Sequence, residues 1–275
     1  MNEKIFITGA SGFAGKSLVN FLKKKKFQIT SAAFKNTKNV KNIKIDLTKK
    51  ILMKKNLNWI IHSAAHHKVK DFKSKPKLKA KKNILMVKNL VNFIKLNKIK
   101  NFIYFSTIDL NFSPYPSNKN IYCKSKYKGE KILLNEFKKK NLNNLVILRL
   151  PAIVGKNSGD NFIKNTLLSL KKNLPINVWN MNNKYNNLIH VNDLNKLILK
   201  IISNSNKKIS KKIIIDCVSS KPIKLKKLII YLKKKLKSNS KINYVIKKNK
   251  FKKIKFNSKI SYNFFSVKKA IDLLI

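Results

Sequence analysis

Short, unbroken apolar runs alternate along this chain with longer stretches in which apolar residues recur three and four apart. The first kind reads as buried strand, the second as amphipathic helix. Lys4–Thr8 is a β-branched apolar run, and residues 17–22 follow with helical spacing before a block of lysines at 23–26. Residues 27–33, 43–47, 58–65, 101–106 and 145–150 supply further strands. A long helix over 77–96 places Ile84, Val87, Leu90, Val91 and Ile94 on one face, and a second runs from about 121 to 139 after a loop containing Pro114 and Pro116. Strands alternating with helices predict a parallel sheet wound on both sides. Beyond Pro151 the pattern loosens into a helix over 161–171, a strand over 188–191 feeding a helix from Asn192, and a strand over 212–216. A helix over 223–236, a strand over 242–246 and a short last helix close the chain.

Three of the chain's six glycines fall within seven residues, Gly9, Gly12 and Gly15, between the first strand and the first helix. Strand, glycine turn and helix form the opening of a dinucleotide-binding βαβ unit. Gly9 turns the chain, Gly12 admits a pyrophosphate to the backbone, and Gly15 allows close packing, while Ser11 and Phe13 flank the pyrophosphate at the helix N-terminus. The expected fold is therefore α/β, a Rossmann-like doubly wound parallel sheet with a small C-terminal substrate lobe. Residues 1–155, with 188–218, would form the dinucleotide-binding domain, and residues 156–187 and 219–275 the lobe.

The end of the second strand bears on which dinucleotide binds. An acid there would accept the ribose hydroxyls and favour NAD. This chain has Ala33, Phe34 and Lys35 instead, and Lys35 suits a 2′-phosphate, so NADP is favoured over NAD. Asp46, followed by Leu47, either caps the next helix or faces the adenine, and the small residues Ala64 and Ala65 let ribose and phosphates lie against the backbone.

Charge changes the picture less than its size suggests. The 275 residues carry 64 Lys+Arg against 10 Asp+Glu, a formal +54. Only Arg149 is arginine, the residue suited to bidentate contacts with bases and phosphates, so no specific nucleic-acid partner is expected. Lysine, asparagine and isoleucine are spread along the whole chain, as AT-rich codons would produce. Cys123 and Cys217 form no disulfide framework, and His62, His66, His67 and His190 lack metal-site spacing, so no metal is expected. No apolar run reaches transmembrane length, and Met1 leads directly into a strand, so a cytoplasmic protein with no membrane partner is expected.

Tyr122 and Lys126 are four apart at a helix start and so share a face. An ammonium beside a phenol stabilises the phenolate and lowers a pKa near ~10, giving a proton donor or acceptor. Thr107, at the end of the fifth strand, could hydrogen-bond the same substrate oxygen. In so lysine-rich a chain the Tyr–Lys spacing gains meaning only from its order relative to the glycine loop and Ser106-Thr107.

With these pieces in order the chain resembles the extended short-chain dehydrogenase/reductase family, in its NAD-dependent epimerase/dehydratase branch acting on nucleotide sugars. The likeness rests on the glycine loop from Thr8 to Gly15, Asp46-Leu47, the stretch His62 to Ala65, Asn83-Ile84 and Phe105-Ser106-Thr107. It continues through Tyr122 to Lys126 with Gly129-Glu130, Leu148 to Pro151 with Gly155, and His190 to Asp193. It fades after about residue 220.

The resemblance implies that Tyr122 is the general acid/base, that Lys126 lowers its pKa and reaches the nicotinamide ribose, and that Thr107 anchors the substrate oxygen. It further implies hydride exchange with a sugar carbon, usually C4, and a homodimer formed through the two long helices. Family dehydratases carry an Asp-Glu pair after the threonine; Ile108 and Asp109 stand here, which argues against dehydration. Ala152 replaces a frequent substrate-contacting asparagine. A reductase or epimerase of surface-polysaccharide sugar synthesis fits best, Ala33 and Lys35 favouring an NADPH reductase. The alternatives are a non-catalytic dinucleotide-binding regulator and a polyanion-binding protein.

Overall fold

The computed structural model describes residues 3–34, 42–67, 74–112, 120–204, 211–246 and 262–275. Lys35, assigned to the 2′-phosphate, lies outside them.

Among the described residues two compact units form. The first holds residues 3–150 and 195–216, the second 151–194, 217–246 and 262–275. The first unit is built on β1 (Lys4–Thr8), α1 (Phe13–Lys24), β2 (Gln28–Ala33), β3 (Ile43–Lys44), β4 (Trp59–His62) and α2 (Pro76–Asn97). It continues with β5 (Asn101–Thr107), a 3-10 helix (Ile108–Asn111), α3 (Asn120–Lys138) and β6 (Asn144–Leu150).

In the second unit lie β7 (Ala152–Val154), α4 (Phe162–Lys171), β8 (Ile176–Trp179), β9 (Lys184–Tyr185) and β10 (Leu188–His190). The helix α5 (Val191–Ser203) leads back to the first unit, which β11 (Lys211–Asp216) completes. The second unit ends with β12 (Ile223–Lys224), α6 (Leu225–Lys235), β13 (Ile242–Val245) and α7 (Val267–Asp272).

The first unit's sheet is seven-stranded in the order β11-β6-β5-β4-β1-β2-β3, every pair parallel. Its central strands β1, β4, β5 and β6 are largely apolar because both faces are covered. Phe6, Ile60, Phe102, Tyr104, Leu145 and Ile147 pack with Val87, Leu90, Phe93 and Ile94 of α2 and Leu133 of α3. The alternate residues Ile5, Ile7, Ile61 and Ile103, also fully buried, face the other side. The order reverses between β1 and β4, and the carboxyl ends of β1, β4 and β5 carry the glycine turn, Ser63 to Ala65, and Thr107. Ligands of open parallel sheets bind at that edge.

The second unit has its own core, in which Val154, Ile163, Leu167, Leu170, Ile176, Val178, Leu188, Leu228, Ile229, Leu232 and Ile271 are buried together. It differs from the sequence expectation in three ways. Residues 188–194, assigned to the dinucleotide-binding domain, belong to it, because β10 pairs in parallel with β7 and not with the large sheet. The unit also begins at residue 151 and not at 156. Ile223–Lys224, read as a helix start, is a strand paired antiparallel with β9. A two-residue strand exists only by virtue of its partner, so neither β9 nor β12 has a local signature.

Candidate active site

Gly9 leaves β1 at φ +73, and a Cβ there would stand 2.6 Å from the Ala64 nitrogen. The left-handed turn and the closeness of the β4 loop both demand glycine. A Cβ on Gly15 would collide with the Gly9 carbonyl, so those two glycines close the turn on itself. The turn is pinned by Ala10 N donating to Ala32 O (3.1 Å) and Gly12 N donating to Gly9 O (2.9 Å). Gly12 is the N-cap of α1, no side chain caps this helix, and its first turn holds no acid. Unclaimed first-turn N–H groups with no nearby carboxylate favour an anion, so the loop fits the pyrophosphate of a dinucleotide. Ser11 and Phe13 sit on this turn, both partly exposed.

The wall opposite is Ser63 to His66. Ser63 Oγ donates to Thr8 O (2.6 Å), which ties β4's end to β1's. Asn83 of α2 brackets the segment: His66 N donates to its Oδ1 (2.8 Å), and its Nδ2 donates to His66 O (3.0 Å) and Ser125 Oγ (3.3 Å). Ala64 and Ala65 are thereby held as a smooth, half-buried ledge.

Asp46 Oδ1 accepts from Thr48 N (2.9 Å) and Thr48 Oγ1 (2.7 Å), so it caps a turn closed by Lys49 N donating to Asp46 O. No helix follows that turn. The Thr48 hydroxyl is the main reason that the Asp46 carboxyl lies below its ordinary pKa. Leu47, expected at the cofactor, is buried in the core, with its carbonyl accepting from Asn89 Nδ2 (2.9 Å).

Thr107 ends β5. Its Oγ1 donates to Asp109 Oδ2 (3.0 Å) and accepts from Asp109 N (3.3 Å), capping the 3-10 helix. Tyr122 lies in the first turn of α3, half-buried, and Ser125 Oγ donates to its carbonyl (2.7 Å). One turn on, the buried Lys126 donates from Nζ to Phe105 O (2.6 Å) and lies 4.6 Å from the Tyr104 ring centroid. The expected three residues therefore come from two elements joined directly at Lys126 and Phe105.

The electrostatics differ from the simple phenol–ammonium picture. Burial brings Lys126 down to about 7, while Glu130 pulls it up. Tyr122 is held above the ordinary phenol value, first by burial and then by the charge of Asp109. In the protein alone, burial and Asp109 thus both favour the protonated phenol. Behind Lys126, His62 is driven down to about 3 by burial and by Lys126, and so stays neutral. Its Nδ1 is 2.7 Å from Thr8 Oγ1, and its ring stacks on Tyr104 with centroids 5.7 Å apart.

One network has roles that the sequence reading did not assign. Glu130, one turn beyond Lys126, is 2% exposed. Arg149 donates to it twice, from Nε to Oε1 (3.1 Å) and from Nη2 to Oε2 (2.8 Å). Ser106 Oγ donates to Oε1 (2.5 Å), and Arg149 Nη1 donates to Asn111 Oδ1 (2.7 Å). The available signal was the single arginine in a chain otherwise given to lysine.

In the second unit, Asp193 is a structural anchor. Its Oδ1 accepts from Tyr262 Oη (2.8 Å) and its Oδ2 from Phe265 N (2.6 Å). Among the described residues no cluster of three or more His, Cys, Asp or Glu side chains could hold a metal, and no helix is long and apolar enough to cross a membrane.

No curated protein matches the sequence. Among solved structures, the fold is similar to that of UDP-glucose 4-epimerase from Thermotoga maritima, with TM-score 0.75, 14% identity, and 98% of this chain and 97% of the other covered. It is similar to UDP-N-acetylglucosamine 4-epimerase from Methanobrevibacter ruminantium (0.73, 19% identity, 98% and 92% covered). It is also similar to RMD from Pseudomonas aeruginosa, solved with NADPH (0.69, 19% identity, 89% and 87% covered). The family model of the NAD dependent epimerases/dehydratases matches residues 5–215, from β1 through β11. The parallel sheet, the uncapped glycine loop at its switch point and this match together establish that the chain belongs to the NAD dependent epimerase/dehydratase family.

Proposed function

We propose that this chain is an NAD(P)-dependent nucleotide-sugar reductase or epimerase that exchanges hydride with a sugar carbon, C4, through Tyr122, Lys126 and Thr107. The reading is carried by the Lys126 Nζ bond to Phe105 O, which holds the Tyr–Lys helix two residues from Thr107 at the ligand-binding edge of the sheet. The glycine loop, with Ala64 and Ala65, would hold the dinucleotide, and a bound nicotinamide supplies the hydride.

Tyr122, protonated in the protein alone, is ready to donate to a developing alkoxide, and after deprotonation accepts the proton of a sugar hydroxyl. In the protein alone the Thr107 hydroxyl proton is directed to Asp109; turned to the sugar oxygen instead, it would donate there beside Tyr122. Lys126 supplies positive charge behind the phenol. Similar folds belong to UDP-sugar epimerases, which supports a UDP-linked sugar, and RMD was solved with NADPH, which keeps NADP open beside NAD.

A homodimer through α2 and α3 is part of this reading. The two helices leave a hollow of about 690 Å³ lined by Ile84, Leu85, Ile121 and Tyr127 among lysines. A cytoplasmic place in surface-polysaccharide sugar synthesis completes it.

The test is to identify the nicotinamide that copurifies, then to assay UDP-glucose and UDP-N-acetylglucosamine for epimerisation and a UDP-4-keto sugar for NADPH consumption. Turnover that Tyr122→Phe abolishes is the expected result. Cofactor binding with no turnover of any of the three sugars would instead favour a regulator of the same fold.

A further inference from the structure

The carboxylate of Glu130 is almost wholly out of water, which is tolerable only with close and complete pairing. Its partners come from elements far apart in sequence. Ser106 is the residue before Thr107 on β5, Arg149 is on the neighbouring strand β6, and Glu130 itself is one turn beyond Lys126 on α3. The third arm of the guanidinium reaches Asn111, the last residue of the 3-10 helix that Thr107 caps and that carries Asp109. One planar group therefore touches or abuts every element that delivers a reacting side chain. A lysine, with a single point of charge, cannot make two parallel bonds to a carboxylate and a third to an amide. The chain has 64 lysines and arginines, and the one arginine stands here.

We infer that Arg149 is the positioning residue of the site: by clamping Glu130, and through it Ser106, while holding Asn111, it sets the register between Thr107 on β5 and Tyr122 and Lys126 on α3. This inference rests on the proposed roles of those three residues. Arg149 and Glu130 do not themselves touch the reacting atoms. Their effect is to hold Thr107 and Tyr122 on one substrate oxygen, a geometry in which small displacements are expensive. The clamp also keeps Glu130 paired, so that its charge reaches Lys126 only in part. Facing Lys126 are Glu130 on its own helix, His62 from β4, the Tyr104 ring and Phe105 carbonyl from β5, and Tyr122 one turn before it, with Asp109 beyond Tyr122.

The experiment compares the wild type with Arg149→Lys, Arg149→Met, Glu130→Gln and the double variant Glu130→Gln/Arg149→Met. Turnover is followed with NAD and UDP-glucose, and with NADPH and a UDP-4-keto sugar, alongside NAD affinity and thermal melting. Arg149→Lys should lower kcat by roughly tenfold to a hundredfold, with NAD affinity and KM within about twofold of wild type and melting still cooperative. The double variant, which removes both buried charges together, should lose less than the product of the two single losses. If Arg149→Met does not fold, Arg149→Lys and the double variant decide alone. An Arg149→Lys enzyme with wild-type kcat, or losses shared equally by kcat and KM, overturns the inference.

If the wild type turns over no sugar, it is the functional reading that fails. The clamp is then judged by the pH midpoint of Lys126, followed by the NMR shift of its Cε in lysine-labelled protein without cofactor, which needs no reagent to reach the buried amine. Glu130→Gln removes the anion that favours the ammonium and should lower the midpoint. Arg149→Lys frees Glu130 to act on Lys126 and should raise it. Two shifts of the same sign, or none, overturn the inference.

Discussion

The glycine loop and the Thr107–Tyr122–Lys126 group of the same sheet are built on opposite principles. The loop makes its site by leaving side chains out. Gly9 and Gly15 bring backbone against backbone, and no side chain claims the N–H groups that open α1. The Thr107–Tyr122–Lys126 group, at the same carboxyl edge, makes its site by burying side chains that carry charge: Lys126 at 2% exposure, Glu130 at 2% and Asp109 at 6%. A site built on backbone fails when an atom is added. A site built on buried charges fails when one partner is removed and the others are left unpaired.

The comparison breaks most visibly through two substitutions with opposite signatures. Tyr122→Phe should reduce kcat by about 10²- to 10⁴-fold, the usual worth of a positioned acid/base, and leave dinucleotide affinity near wild type by fluorescence titration. Gly15→Val should do the reverse at the first step measured. Dinucleotide binding is lost because the added atoms strike the Gly9 carbonyl, and denaturant titration shows a destabilisation of roughly 1–3 kcal/mol. If both variants lose binding and turnover alike, the two sites are not separable.

A pH series sharpens the contrast. Where turnover needs the Lys126 ammonium, kcat/KM, which reports the free protein, should fall as pH rises through about 7, since burial holds that group far below its ordinary value. Stability should respond on the acid side. His62 sits at about 3 in the folded protein against ~6.5 when unfolded, so the unfolded chain binds the extra proton between those values. The contribution of His62 is therefore fully present above about 6.5 and is lost as pH falls towards 3. Urea titrations at pH 7.5 and 5 should show that loss, and His62→Asn should flatten it.

The smallest effect concerns the α2–α3 face. Its hollow is lined by Lys77, Lys81, Lys88, Lys124 and Lys128 besides its apolar residues, so two copies meeting there would oppose like charges. A dimer through this face should tighten modestly with added salt in sedimentation equilibrium. Weakening with salt would speak against this face.

The same contrast explains how much could be read from the chain. The central strands of the large sheet, β1, β4, β5 and β6, were legible because both faces are buried, so apolar runs mark them without reference to any partner. The glycine turn was legible for a related reason, since a residue type scarce in the whole chain recurs where only it fits. Asn83 and Glu130 could be placed in motifs but not given partners. What they do depends on His66 and Ser125 in one case, and on Ser106 and Arg149 in the other. The second unit was hardest. Its sheets are pairs such as β9 with β12 and β8 with β13, whose partners lie far apart in the chain.

Local pattern and composition thus determined the parallel α/β sheet, the glycine loop between the first strand and the first helix, and the residue types available for proton transfer, because periodicity and steric permission act over a few neighbouring residues. Only the tertiary structure decided that β10 leaves the large sheet for β7, and that Leu47 belongs to the core. It also decided that burial and Asp109 raise the pKa of the Tyr122 phenol, and that the lone arginine clamps Glu130. Those outcomes depend on desolvation and on which distant groups meet, quantities that no stretch of chain contains by itself.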